Sequence, residues 1–205
     1  TYGCLNNGAM IADADGKGVG LYPLDNSLMS FGEKGMCSID PEYIPESSLA
    51  KVCMFNTIWT INFPYWIQGN LTSRVRVWGV DSLDEENLVI PATEAKTNAE
   101  VVRIVKESSS VRKLPSCLEG IKLSSKGFRI TSFGANPDGS GDLLRLWNTL
   151  SLDQNVTVYL PPKTTFTEAV PVNLRGEQIG DPYLIMGGKW SFCAKGYTPY
   201  SFVLR

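Results

Sequence analysis

Two acidic residues stand among apolar neighbours in this chain, Asp25 in "YPLDNS" and Glu33 in "FGEKG". Glycoside hydrolysis ordinarily needs two carboxylates facing each other across about 5–9.5 Å. These two, with Asp81, Asp84, Glu85 and Glu86 of "DSLDEEN", are therefore the candidates for acid–base work. The "DSLDEEN" group reads as a solvated turn, and Asp25 and Glu33 read as structural hydrogen-bond acceptors. Nothing in the spacing brings any two of them together. The chain has no histidine, which removes the commonest general base, the usual zinc ligand and every Ser/His/Asp or Cys/His triad. No catalytic residue is assigned, and the isolated chain is expected to be inactive.

Binding chemistry is better represented. Residues 54–78, "MFNTIWTINFPYWIQGNLTSRVRVW", gather Phe55, Trp59, Phe63, Tyr65, Trp66 and Trp78 with Asn56, Asn62, Gln68 and Arg74. Sugars present flat C–H faces and many hydroxyls, so exposed rings flanked by amides and arginine make a suitable platform. The same rings would equally serve as the packed seam of a β core. Pro64 forces an extended or turn conformation on Phe63, so "NFPYW" reads as a loop and Trp66 as its exposed member. In "SRVRVW" the strand period of two puts Arg74, Arg76 and Trp78 on one face and Val75 and Val77 on the other. Trp78 is expected to pack on its arginine face.

Other motifs are negative. "DADGKG" and "NPDGSGD" lack the spacing of a calcium loop and read as hairpin turns, so no metal or cofactor is expected. The five cysteines, Cys4, Cys37, Cys53, Cys117 and Cys193, contain no C-x-x-C pair. An odd number leaves at least one free thiol, and Cys53 in "AKVCMF" reads as a small buried hydrophobe. A net charge of −2 and a pI near 5.3 give no electrostatic reason to expect nucleic acid. No apolar run approaches the ~20 residues of a membrane span. The chain opens at Thr1 directly in strand-and-turn material, which reads as a segment of something longer or as processed chain.

The elements that would position these residues are short strands. Turn signals recur at "NNG", "DADGKG", "NPDGSG", "NLRGE" and "MGGK". Between them lie period-two or apolar segments such as "GVGLYPL", "NLVIPA", "DLLRLWNT", "VTVYLPP" and "YSFVLR". Such a pattern predicts an all-β protein of sandwich type. Helix is confined to one candidate at 93–108. The polar, proline- and glycine-broken stretch at 108–120 reads as a linker or long connection. It separates a first β-sandwich at 1–107 from a smaller one at 121–205, which begins with a hairpin and ends in the strand "YSFVL".

Several of these segments together resemble the C-terminal β-sandwich region of large bacterial α-mannosidase-like glycoside hydrolases. "VGLYPLDNSLMSFGEKG" followed by "NTIWTINFPYW" is similar to that family's "D-x-P-L-V-S-x-G" strand and "N-x-x-W-x-T-N-F-P-x-W" segment, departing from the second at Ile58 and Ile61. "GANPDGSGDLLRLWN", "VNLRGE" and "YTPYSFVL" resemble the hairpin, turn and closing strand of its small terminal sandwich. The resemblance implies a supersandwich-type domain, of which residues 1–107 are part, followed by an immunoglobulin-like sandwich. It also implies a periplasmic or extracellular protein whose upstream catalytic domain carries the chemistry. Asn56, Trp59, Asn62, Phe63 and Trp66 would then form a loop reaching the substrate cleft. With the residue-level reading, the carbohydrate-contacting candidates are Asn56, Trp59, Asn62, Tyr65, Trp66 and Arg74. A free-standing carbohydrate-binding module is the alternative. An accessory portion should leave an apolar patch exposed, whereas a free-standing module should bury one.

Overall fold

The structure is a computed structural model and describes residues 2–34, 40–55, 66, 68–97, 101 and 117–205. The chain divides into two units, Thr1–Ala99 and Glu100–Arg205. Of the expected connection at 108–120, residues 108–116 lie outside the described residues, and 117–120 carry no regular structure. The fold is all-β and of sandwich type; every strand pairing is antiparallel.

Among its described residues the first unit holds two three-stranded sheets. One runs β1 (Tyr2–Cys4), β4 (Leu28–Phe31), β5 (Ala50–Val52) in that order. The buried Met29, Ser30 and Cys53 belong to or adjoin it. The other runs β2 (Ala9–Ala12), β3 (Gly18–Pro23), β6 (Val75–Val80). The register sets Gly20 opposite Trp78 and Tyr22 opposite Arg76. Arginine and tryptophan thus share a face, with Val75 and Val77 on the other.

The helix α1 (Glu85–Lys96) lies earlier than the 93–108 candidate. It takes in the end of the "DSLDEEN" turn, from Glu85, and the "NLVIPA" segment read as a strand. The reason is local chemistry. Asp84 occupies the N-cap position, Glu85 and Glu86 place negative charge at the positive end of the helix dipole, and Lys96 places positive charge at the other. The apolar run Leu88–Val89–Ile90 has no alternation to mark it as a half-buried strand. Pro91 sits inside the helix and can supply no N–H to the Asn87 carbonyl four residues back. The Trp78 indole N–H donates to that carbonyl at 2.8 Å instead. Gly20 makes this possible: a Cβ there would stand 2.2 Å from the Trp78 ring, so the indole lies flat across the strand.

The second unit is a sandwich of five strands over three. The larger sheet has the order β12 (Tyr183–Leu184), β11 (Glu168–Val172), β14 (Pro199–Leu204), β9 (Asp142–Asn148), β8 (Phe128–Ala135). The smaller has the order β13 (Lys189–Ala194), β10 (Gln154–Tyr159), β7 (Lys122–Leu123). Alternate residues of both sheets meet in one core: Leu144 and Leu146, Val156 and Val158, Trp190 and Phe192, Phe202 and Leu204. Each fully buried side chain of this kind contributes roughly 1.5–3 kcal/mol. Phe202 is the hub, with ring centroids 5.0 Å from Phe192 and 5.7 Å from Trp190. The expected hairpin at 126–148 is present as β8 and β9. "MGGK" turns with both Gly187 and Gly188 at positive φ, the conformation a two-residue hairpin turn requires.

Candidate functional site

Arg74 is the one sequence-derived site residue that the structure places in a built arrangement. It immediately precedes β6, where its carbonyl accepts the Leu24 N–H at 2.9 Å and so prolongs the β3–β6 ladder by one step. That register brings Asp25, the next residue, against it. The Asp25 carboxylate accepts the Arg74 backbone N–H at 2.7 Å, Nη2 at 2.6 Å and Nε at 3.1 Å. The Arg74 side-chain hydrogen bonds hold the Asp25 carboxyl below the ordinary aspartate range, and Asp25 in turn raises Arg74. Both groups face solvent.

Beside this pair is a cleft of about 290 Å³ lined by Tyr22, Leu24, Arg74, Ala95 and Lys96. The strand period brings in Tyr22, two residues beyond Gly20 on the helix-covered face. The last turn of α1 brings in Lys96. Its ammonium lies 5.0 Å from the Tyr22 ring centroid, donates to Asn7 Oδ1 at 3.0 Å and also bonds the Asn6 carbonyl. A ring face, a guanidinium edge and an ammonium ringed by amide oxygens are suited to a polyhydroxylated or anionic group. Tyr22 and Lys96 escaped sequence reasoning because they lie far from 54–78 in the chain. The "NNG" turn and the basic residue ending a helix were the available signals.

Of the remaining site residues, Asn56, Trp59, Asn62 and Tyr65 lie outside the described residues. Trp66 is 68% exposed. Trp78 is half-buried against Gly20 and α1. Among the carboxylates, Asp25 is committed to Arg74, and Glu33 accepts the Ser47 hydroxyl at 3.1 Å on the surface. Asp84 accepts the Ser82 hydroxyl at the helix start. Each makes local bonds of a structural kind. Among the described residues no three Cys, Asp or Glu side chains group as a metal centre would require. No described helix is long and apolar enough to cross a membrane. Cys53, Cys117 and Cys193 are free thiols, the first buried and the other two exposed. Comparison with protein-family models, with curated proteins and with solved structures found no match to this chain.

Proposed function

We propose that this chain is a non-catalytic β-sandwich portion of a secreted glycoside hydrolase, supporting an upstream catalytic domain and contributing sugar contacts. The observation that supports it most is the outer face of the β2–β3–β6 sheet. By register that face is Ala9, Ile11, Val19, Leu21, Pro23, Val75, Val77 and Gly79, with no polar side chain. Leu21 and Pro23 are buried, yet Val19, Val75 and Val77 are 41%, 38% and 58% exposed. A self-sufficient sheet buries its valines and turns its arginines to water. Here Arg76 does face water, with the helix packed on the Trp78 part of its face, but Val19, Val75 and Val77 are left for another surface to cover.

A second reading, the free-standing carbohydrate-binding module, is favoured by the exposure of Trp66. One set of measurements separates the two. The accessory reading expects no turnover of aryl glycosides, and binding of an environment-sensitive apolar dye that Val77→Lys abolishes without loss of the folded circular-dichroism signal. Dye-negative protein that is retained on a polysaccharide gel, and released from it by Trp66→Ala, would support the free-standing module. Glycosidase activity lost on Asp25→Asn or Glu33→Gln would overturn both.

A further inference from the structure

The two sheets of the second unit end unequally on one side. There the larger sheet finishes in β11 and β12, the smaller in β13, and a cavity of about 500 Å³ lies between those ends. Its walls include Pro171, Ile179, Tyr183, Phe192 and Phe202. Phe192 and Phe202 also belong to the core and are only 6% and 1% exposed, so they floor the cavity while Tyr183 and Ile179 form its accessible walls. At the mouth Leu174 and Ile179 are 71% and 66% exposed.

The edge beside this opening is protected at its start, where the charged Lys189 is bonded to Met186 across the turn, and is open beyond it among the described residues. Among the described residues of the unit, β7 and β12 are edges of two residues each, and β8 is broken by a bulge between Ile130 and Ser132. By contrast β13 runs for six residues with regular register and no proline. A long, regular edge of this kind is a template for another strand.

Its backbone polarity can be worked out from β10. The Thr157 carbonyl accepts the Ser124 N–H at 2.9 Å, and the Thr157 N–H donates to Ser124 Oγ at 2.8 Å. Thr157 thus faces away from β13. In an antiparallel ladder the direction alternates, so Val156 and Val158 bond to their partners Phe192 and Trp190. Ser191 and Cys193 must then turn their N–H and C=O groups to the open edge. Unsatisfied ladder groups sit directly beside an aromatic-walled cavity.

We propose that β13 is a docking edge for a short extended segment of a partner polypeptide, which hydrogen-bonds along residues 191–193 and places an apolar or aromatic side chain in the adjoining cavity. Main-chain bonds supply affinity in this mode, and a pocket for alternate side chains supplies selectivity. A second copy pairing through the same strand does not fit. The apolar side chains of β13, Trp190, Phe192 and Ala194, are already in its own core, leaving Lys189, Ser191 and Cys193 outside. Such a copy would have nothing to place in the cavity. The proposal stands independently of the glycoside-hydrolase reading.

The test uses the full chain and a fluorescent octapeptide, acetyl-Lys-Thr-Val-Thr-Phe-Thr-Val-Lys-amide. Saturable binding is expected, weakened at least about tenfold when alternate peptide amides are N-methylated, because each lost hydrogen bond and left-over polar group costs affinity. Ser191→Pro deletes one free-edge donor and keeps the backbone ladder to β10, and Ile179→Lys charges the cavity wall. Both should weaken binding to a similar degree while the thermal midpoint is kept. Ser191→Pro also loses the Ser191–Thr157 hydroxyl bond, and Ser191→Ala, which loses only that bond, is its control. Saturating peptide should also slow alkylation of Cys193, read by mass spectrometry, and leave the rate at Cys117 unchanged. Absence of saturable binding, or binding indifferent to N-methylation and to both variants, would overturn the proposal. A dimer of the chain that Ser191→Pro abolishes would also overturn it, by assigning the edge to a second copy.

Discussion

Asp25 was legible as unusual from its apolar surroundings, and its structural role was the reading its neighbours favoured. What the sequence does not display is the partner, because Arg74 is brought to it by strand register across 49 positions. The Arg74 hydrogen bonds lower the Asp25 carboxyl, so the pair contributes stability above the unfolded aspartate value, about pH 4. That contribution is lost as pH falls through the lower folded value. Asp25→Asn should therefore lower the thermal midpoint near neutrality, with a deficit that closes as the parent protein is taken towards about pH 2. A deficit constant across that range would mean the pair does not titrate as described. Because both partners are exposed, added salt should shrink the effect as well. Asn148 is a different case. Fully buried, it donates to the Leu152 and Lys195 carbonyls at 2.8 and 3.0 Å and accepts the Leu150 N–H at 3.2 Å. Asn148→Ala takes the donor from the carbonyls of the exposed Leu152 and Lys195 and the acceptor from the buried Leu150 N–H. A loss of about 1–3 kcal/mol in denaturant unfolding is expected. A loss below about 1 kcal/mol would show that water replaces those bonds.

At the scale of elements, turns were the most readable feature, since positive φ restricts residue type so strongly. The β8–β9 hairpin and the Gly187–Gly188 turn lie where the sequence places them. Helix α1 was misplaced because Pro91 argues against a helix locally, and an unbroken apolar run cannot by itself tell a buried strand from a helix. The compensation comes from a distant residue, the Trp78 indole that occupies the carbonyl Pro91 cannot reach. This makes Trp78 and Pro91 an energetically coupled pair. Trp78→Phe should cost about 1–2 kcal/mol with Pro91 in place, because the Asn87 carbonyl loses its donor. In the Pro91→Ala background the helix supplies its own N–H, so the same substitution should cost measurably less. Equal costs in the two backgrounds would show that the carbonyl is not what links them. Gly20→Ala should be destabilising in either background, since its Cβ would collide with the indole. Of the candidate site, Arg74 and Trp66 were visible by type, whereas Tyr22 and Lys96 join the cleft only through the fold.

Over the whole molecule, the parity of "SRVRVW" was readable but its burial was not: strand period says which residues share a face and is silent on which face a helix will cover. The exposed valine face should show in solution behaviour. Val75→Thr with Val77→Lys is expected to raise the protein concentration at which light scattering first detects association, with little change in unfolding midpoint. A large stability loss instead would place those valines in a core. A different consequence belongs to β14. Of the described strands of its sheet, β14 comes latest in sequence yet lies in the middle, bonded to β11 on one side and β9 on the other. During vectorial synthesis β9 and β11 therefore emerge with no strand between them, and the Leu144 and Leu146 side of β9 stays open to solvent until residues 199–204 are made. The sandwich cannot accumulate stability as it lengthens, because its nonlocal centre arrives last. Chains cut short before Pro199 would carry two adhesive strand edges and a core lacking Phe202 and Leu204, a form suited to aggregation or proteolysis.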